Sequence, residues 1–298
     1  MGGARVGAHG VGQQRRGGRL GADNNDHNDD NDYDVRRMQR SGSFWWLLGF
    51  TLLVAAFLLV PVGMTILAGL TKNYFIGVSS GLTLDWVVKV WTDYNESIWL
   101  SLGLALACLA STLLLGVPAA YVLARKQGPV ARTLEELLMM PVALPGLATA
   151  LALIVMYGAV GDFRTHWTFI LVGHVLFTLP FMVRSVLAVM NSIDLNTLEE
   201  GARSLGANFR QRFFGVVLPN CASGIIAGSL MVVTLSIGEF NMTLLLHTPF
   251  TKTLPVGLAD ADASLRIEVG SAYTVIFFVM IIPLLLALQW TGKKQRTP

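Results

Sequence analysis

The chain has 298 residues, 53% of them hydrophobic and only 14% charged, with a mean hydropathy of +0.56. Soluble domains carry about 25% charged residues, so charge this sparse excludes an ordinary water-soluble domain and makes membrane lipid the main surrounding. The net charge of +3 is scattered beside apolar runs without a basic patch, which speaks against nucleic acid as a partner, and two cysteines, Cys108 and Cys221, allow neither a disulfide framework nor a Cys/His metal site.

Residues 1–40 are rich in Gly, Arg, Asn and Asp, with an Asp/Asn run from Asp23 to Asp34. Such a segment has too little apolar surface to offset the entropy of ordering. It is expected to be a disordered tail, or to precede a native start at Met38, with the membrane domain over 41–298. Asp26, Asn28 and Asp30 alternate as calcium ligands do, but Asn31 stands where such a loop needs Gly and Arg37 where it needs Glu.

Six stretches then reach the roughly 20 apolar residues that a spanning helix needs: 44–70, 97–124, 134–159, 166–190, 216–246 and 269–290. Only helices satisfy their own backbone in lipid at these lengths, so the fold class is read as all-α with six transmembrane helices. The first stretch is too long for a signal peptide and is expected to be an uncleaved anchor. After it, Gly77-Val78-Ser79-Ser80-Gly81 fits the G-x-S-x-G nucleophile pattern. No strand precedes it and no triad surrounds it, so it reads as a loop.

The third span carries Pro141 and Pro145 in MMPVALPG. Either the prolines kink the helix and free carbonyls, or Pro141 caps a first turn. Asp162, Arg164 and His166 follow in a short loop and are expected to be solvated. Inside spans, ionisable residues default to functional hypotheses; His174 in the fourth and Glu239 in the fifth qualify. His174 is read as a hydrogen-bonded packing residue.

Between the fourth and fifth spans lies EEGARSLGANFRQRFFGVVLP, Glu199 to Pro219. It predicts a short amphipathic helix from Asn196 to about Leu205, with Glu199 and Glu200 near its positive end. Gly206 would end the helix in the left-handed conformation, and Pro219 would open the next span. In that fifth span Gly224 and Gly228 form a GxxxG pair, read as helix packing or as contact with a partner subunit in the membrane. On a wheel of roughly 100° per residue, Ser229, Ser236, Glu239 and Thr243 share a stripe of about 80°. A polar stripe at that depth should face a wet cavity or a polar neighbour, so Ser236, Glu239 and Thr243 are candidate pathway residues, Glu239 alternatively a structural carboxylate. Basic residues gather at 36–40, 125–132, 203–212 and 293–296, which sets that side, and both termini, in the cytoplasm.

The spacing of Glu200, Ala202, Gly206, Val216, Leu218 and Pro219 resembles the EAA loop of ABC importer permeases, and the resemblance covers about 44–290. Gly201 stands where the family carries alanine, which weakens the helix by up to about 1 kcal/mol. The resemblance implies a type I importer permease of the prokaryotic inner membrane, working by alternating access. Its coupling helix, with Glu199, Glu200, Gly201, Ala202, Leu205, Gly206, Leu218 and Pro219, would sit in a cleft of a separate ATPase subunit. A second permease subunit and an extracytoplasmic solute-binding protein are the other implied partners. The chain itself would be no enzyme: it lacks a G-x-x-x-x-G-K-[ST] loop, Gly292-Lys293-Lys294 being only a fragment of one, so ATP and Mg would be bound by the partner. The segments TLPFMVRSVLAVMNSIDLNTLEEGARSLGA and TLPVGLADADAS are similar to permeases for polyamines and aminoethylphosphonate, and less so to those for sulfate or ferric iron. A small polar organic solute is therefore expected. An ion-driven secondary transporter would need inverted repeats and several intramembrane carboxylates, and a membrane enzyme would need His, Asp or Ser converging at one interface; neither pattern is evident.

Overall fold

The structure is a computed structural model that describes residues 42–126 and 128–294. The expected tail, its calcium-like spacing and the boundary at residue 41 lie outside the described residues. The described chain is nearly all helical, with one isolated bridge between Thr71 and Leu82. Its helices are α1 (Gly42–Gly69), α2 (Asp85–Asp93), α3 (Asn95–Arg125), α4 (Pro129–Ala143), α5 (Gly146–Tyr157) and α6 (Trp167–Ser192). They continue as α7 (Leu195–Ser204), α8 (Phe209–Asn220), α9 (Ala222–Gly238), α10 (Asn241–Leu246), α11 (Leu254–Ala263) and α12 (Ile267–Lys294).

Four of these are long and apolar enough to cross a membrane: α1, α3, α6 and α12. The count rises to six if the bent pairs α4–α5 and α8–α9 each make one span. The third expected span is thus two helices meeting at 101°. Proline chemistry explains the break. Pro145 has no N–H to donate, and its ring bars Leu144 from helical geometry; Leu144 is extended at φ −86, ψ 140. Pro141 lies inside α4, whose first position is held by Pro129, so Pro141 does not cap a first turn.

The fifth expected span is also segmented. α8 and α9 meet at 70°. Within α8, Phe213–Val217 widens into a π turn just before Pro219, where the missing proline N–H breaks the regular ladder. Asn220 supplies a side-chain donor to the Val216 carbonyl at 2.7 Å. Span α9 therefore begins at Ala222 rather than at Pro219. It also ends early: Glu239 is extended at φ −71, ψ 117, and α10 follows as a separate turn and a half.

At the centre α3, α6 and α9 pack against one another around Met182, Val183, Val186 and Val232. Without a water-driven force between helices in lipid, close van der Waals fit decides such packing, and small residues permit it. A Cβ added at Gly224 would stand 2.7 Å from the Ser185 carbonyl oxygen, and one at Gly228 would stand 2.8 Å from Met182 Sδ. Ser185 Oγ donates to the Gly224 carbonyl at 2.8 Å. The GxxxG face is thus filled by α6 of the same chain, which corrects the alternative of a second permease there. A second cluster joins α2, α11 and α12 around Val90, Leu254, Ala272 and Tyr273.

Candidate functional site

The segment between α6 and α8 is built from its caps. Asp194 is the N-cap of α7, accepting from Thr197 N at 3.2 Å and from Thr197 Oγ1 at 2.6 Å. Hydrogen bonds from Thr197, first its hydroxyl and then its amide, hold the Asp194 carboxyl below its ordinary value. α7 starts at Leu195, which is buried, so Glu199 and Glu200 lie beyond the first turn; Asp194 supplies the negative charge there. The helix closes on Gly206 at φ 86. Gly206 N donates to Arg203 O at 2.9 Å and Ala207 N to Ala202 O at 3.1 Å, the paired bonds of a Schellman ending. Asn208 and Gln211 then cap α8 reciprocally.

The two acidic residues of α7 part company. Glu199 is 3% exposed. Tyr121 Oη donates to its Oε1 at 2.6 Å, and Arg125 Nη1 donates to Tyr121 Oη at 2.8 Å. Arg125 Nη1 also stands 3.1 Å from Oε2, off the line of a hydrogen bond, so that oxygen is held by charge alone. The Tyr121 ring meets Phe209 and Phe213 of α8. Glu199 therefore ties α7 to the end of α3 and is not presented outward. Glu200, Gly201, Arg203 and Gly206 are exposed, Ala202 is half-buried, and Leu205 is 90% exposed. Pro219 is exposed while Leu218 packs against the central core. Sequence reasoning missed Tyr121 and Arg125 as partners of this segment, because 78 residues separate Tyr121 from Glu199.

The second polar constellation joins α6, α9 and α10. His174, 1% exposed, places Nδ1 at 2.9 Å from Ser236 Oγ and Nε2 at 2.8 Å from Thr243 Oγ1. Ser229, Ser236 and Thr243 are all buried. The wheel that grouped them assumed one helix through residue 243, whereas the chain breaks at Glu239. From that break Glu239 reaches forward: its carboxylate accepts from Met242 N and Thr243 N at 3.0 Å each and from Thr243 Oγ1 at 3.1 Å. It caps α10, with the side chain half-buried. Arg164 donates both terminal nitrogens to the carbonyls of Leu245 and Leu246 at the other end of α10. Arg164 is thus a helix cap, and His166 caps α6 by accepting from Thr168 N at 3.4 Å; neither is merely solvated. Negative charge at the amide end and positive charge at the carbonyl end match the dipole of α10.

Ser79 of the G-x-S-x-G pattern lies in a 3₁₀ turn and donates to the Ile76 carbonyl at 2.8 Å. Among the described residues no group of three or more His, Cys, Asp or Glu is placed to hold a metal ion.

Residues 113–297 match the family described as binding-protein-dependent transport system inner membrane component. The molybdenum transport system permease protein ModB of Escherichia coli (strain K12) is 26% identical over 217 residues, covering 67% of this chain and 94% of that protein. The sulfate transport system permease protein CysW of Synechocystis is 25% identical over 204 residues, covering 64% and 74%. Sulfate permease 2, chloroplastic, of Chlamydomonas reinhardtii is 28% identical over 204 residues, and the chain spans only 55% of its length. In fold, the chain is similar to a solved bacterial ABC transporter for import of the acidic polysaccharide alginate, with TM-score 0.66 at 16% identity, covering 89% of this chain and 99% of that one. It also resembles the inward-facing MetNI methionine ABC transporter, with TM-score 0.52 at 17% identity, covering 66% and 92%. The relatives in sequence are molybdenum and sulfate permeases, which fits the sulfate alternative in part and not the polyamine or aminoethylphosphonate permeases that the sequence put first.

Proposed function

The chain belongs to the binding-protein-dependent transport system inner-membrane component family, and from that premise we propose that it is the permease subunit of an ATP-driven importer for a small tetrahedral oxyanion such as molybdate or sulfate. The substrate class rests on the likeness to molybdenum and sulfate permeases. The coupling role rests on one observation: α7 presents an exposed face while its opposite face is tied to α3 through Glu199.

In this reading an ATPase subunit receives the exposed face of α7, with Glu200, Gly201, Ala202, Leu205 and Gly206 at the contact. Motion of that subunit on binding ATP displaces α7, and the Glu199–Tyr121–Arg125 cluster passes the displacement into α3. α3 is 31 residues long, or about 46 Å at 1.5 Å per residue, so a shift at one end is felt across the membrane. A second permease subunit completes the pathway, and a binding protein delivers solute at the end of α3 remote from α7. Both termini lie in the cytoplasm, on the basic-rich side. Glu239 borders the path, with Ser236 and Thr243 behind it; its charge is occupied by the amides of α10 and does not hold an anionic solute.

The test is uptake by the permease with its ATPase subunit and binding protein in liposomes. Labelled molybdate or sulfate should accumulate only with ATP, and a cross-linker at Ala202 should capture the ATPase subunit. Absence of uptake of both anions overturns the substrate, and failure of capture in an active complex overturns the docking face.

A further inference from the structure

At the end of α3 opposite to α7 lies a cavity of about 270 Å³. Its wall is drawn from three places in the chain. Tyr94 stands between α2 and α3, Lys252 and Asp260 come from the approach to α11 and from α11 itself, and Arg266 and Tyr273 come from the start of α12. Arg266 is set by a tight reversal. Leu265 is left-handed at φ 55, and the bonds from Leu265 N to Asp262 O at 2.8 Å and from Arg266 N to Ala261 O at 2.9 Å close the end of α11. A leucine held in that conformation is strained, and strain of this kind gathers where side chains are held for a task.

The hydrogen-bond inventory of the cavity is one-sided. Lys252 is paired with Asp260, which neutralises the cavity's one carboxylate. Arg266 has no carboxylate partner among the described residues; it donates one N–H to Tyr94 Oη at 3.2 Å. A guanidinium has five N–H donors, so most of them remain. Tyr94 oxygen already accepts from Arg266, which leaves its own proton free to donate. Tyr273 lines the cavity, is 1% exposed, and its hydroxyl has no hydrogen-bond partner among the described residues. A buried phenol normally finds a partner. The ring has room because position 257 is glycine: a Cβ there would stand 3.0 Å from Tyr273 Oη. Two cations against one carboxylate, with unused N–H and O–H donors among the lining residues, suit an anion rather than an amine.

We propose that this cavity is a receiving site for one small tetrahedral oxyanion, held by Arg266, Lys252, Tyr94 and Tyr273 at the mouth remote from the coupling helix. The proposal rests on the oxyanion-permease reading above and adds the place where the anion is first held by this chain. Arg266 contributes a charged, forked contact, and the two phenols supply directional donors. The cavity is roomy enough for the anion to keep part of its water shell, as suits a site that must release its guest.

The test uses the permease–ATPase complex in lipid nanodiscs, without binding protein or nucleotide, at fixed ionic strength. Equilibrium binding of labelled sulfate and of labelled molybdate is measured for the wild type, Arg266→Gln and Tyr273→Phe, each first checked as a monodisperse complex. Saturable binding that weakens by about tenfold or more in Arg266→Gln, and less in Tyr273→Phe, is expected, since one hydrogen bond to a charged group carries about that factor. Equal binding in wild type and both variants, or none in the wild type, overturns the site. Unchanged anion binding with weaker docking of the binding protein to Arg266→Gln also overturns it, because the cavity then holds an acidic side chain of that partner. The uptake assay separates the two readings. A wild type that imports oxyanion while Arg266→Gln binds and imports equally well refutes the cavity alone. Saturable, Arg266-dependent binding in a wild type that imports neither anion refutes the substrate reading and leaves the site standing.

Discussion

Removing one hydroxyl tests how α7 is held. In Tyr121→Phe the ring keeps its contacts with Phe209 and Phe213, but Glu199 Oε1 loses the 2.6 Å hydrogen bond. Glu199 is 3% exposed, so water does not readily replace the donor. A hydrogen bond to a charged group contributes about 1.5–3 kcal/mol. Arg125 remains beside the carboxylate and its side chain is 35% exposed, so it can reorient and recover part of the loss. The lower half of the range is therefore expected, a rise of about 13–45-fold in the local opening of α7. Hydrogen exchange of the amides from Leu198 to Ala202, measured in detergent without the ATPase subunit, reads this directly. Exchange across α6 and α9 should not change. If the α7 amides exchange as in the wild type, or if all helices loosen together, the tether is not what holds α7. Glu199→Gln should be milder, because an amide oxygen still accepts from Tyr121.

Two glycines of the same segment should respond with opposite sign. Gly201 is helical with no atom within 4 Å of an added Cβ, so Gly201→Ala should stabilise α7 by up to about 1 kcal/mol, seen as slower exchange. Gly206 has equal space but φ 86, so Gly206→Val should cost about 1–2 kcal/mol in the last turn and impair transport in a chain that inserts normally; exchange and uptake equal to the wild type would refute it. Asp194 sets a pH dependence. Its folded value is depressed, so its contribution is present above the unfolded value near about 3.9 and is lost as pH falls through the folded value. The first turn of α7 should fray at acid pH in the wild type, while Asp194→Asn should show no such step.

The helical class, the positions of the apolar stretches and the short amphipathic helix α7 were legible because each rests on local chemistry. Gly206 shows this well: a glycine after a short amphipathic run signals a left-handed ending, and the ending is there. The bends were only half legible. Pro145 marks a break, but two prolines four residues apart do not say which one ends the helix; the restriction on Leu144 decides it. Glu239 was placed by a wheel that presumed an unbroken helix. Gly238 in IGEFN is only a weak local hint of the break, which depends on the carboxylate finding free amides ahead of it. Tyr121 and Arg125 were invisible for another reason. A partnership between residues far apart in sequence leaves no periodic trace, and Arg125 had already an adequate local explanation as a basic residue at a span end.

Glu239 is where the structural and pathway readings part. Its carboxylate binds two amides and one hydroxyl of α10. Because Thr243 gives its only hydroxyl proton to Glu239, its oxygen can meet His174 Nε2 only as an acceptor. His174 then carries its proton on Nε2 and accepts from Ser236 at Nδ1. One carboxylate thereby orders the whole chain from Ser236 through His174 and Thr243 to the end of α10. Glu239→Ala removes the cap, at about 0.5–2 kcal/mol, or about 2–30-fold in local opening. Glu239→Gln keeps one acceptor oxygen but offers an N–H to Thr243, so the proton order can reverse. Exchange of the Met242 and Thr243 amides should rise most in Glu239→Ala, less in Glu239→Gln, and transport should fall in the same order. The His174 ring nitrogens, read by ¹⁵N shifts, should change tautomer in Glu239→Gln. If both variants lose transport equally while those amides and the tautomer stay as in the wild type, then Glu239 acts on the solute and not on α10.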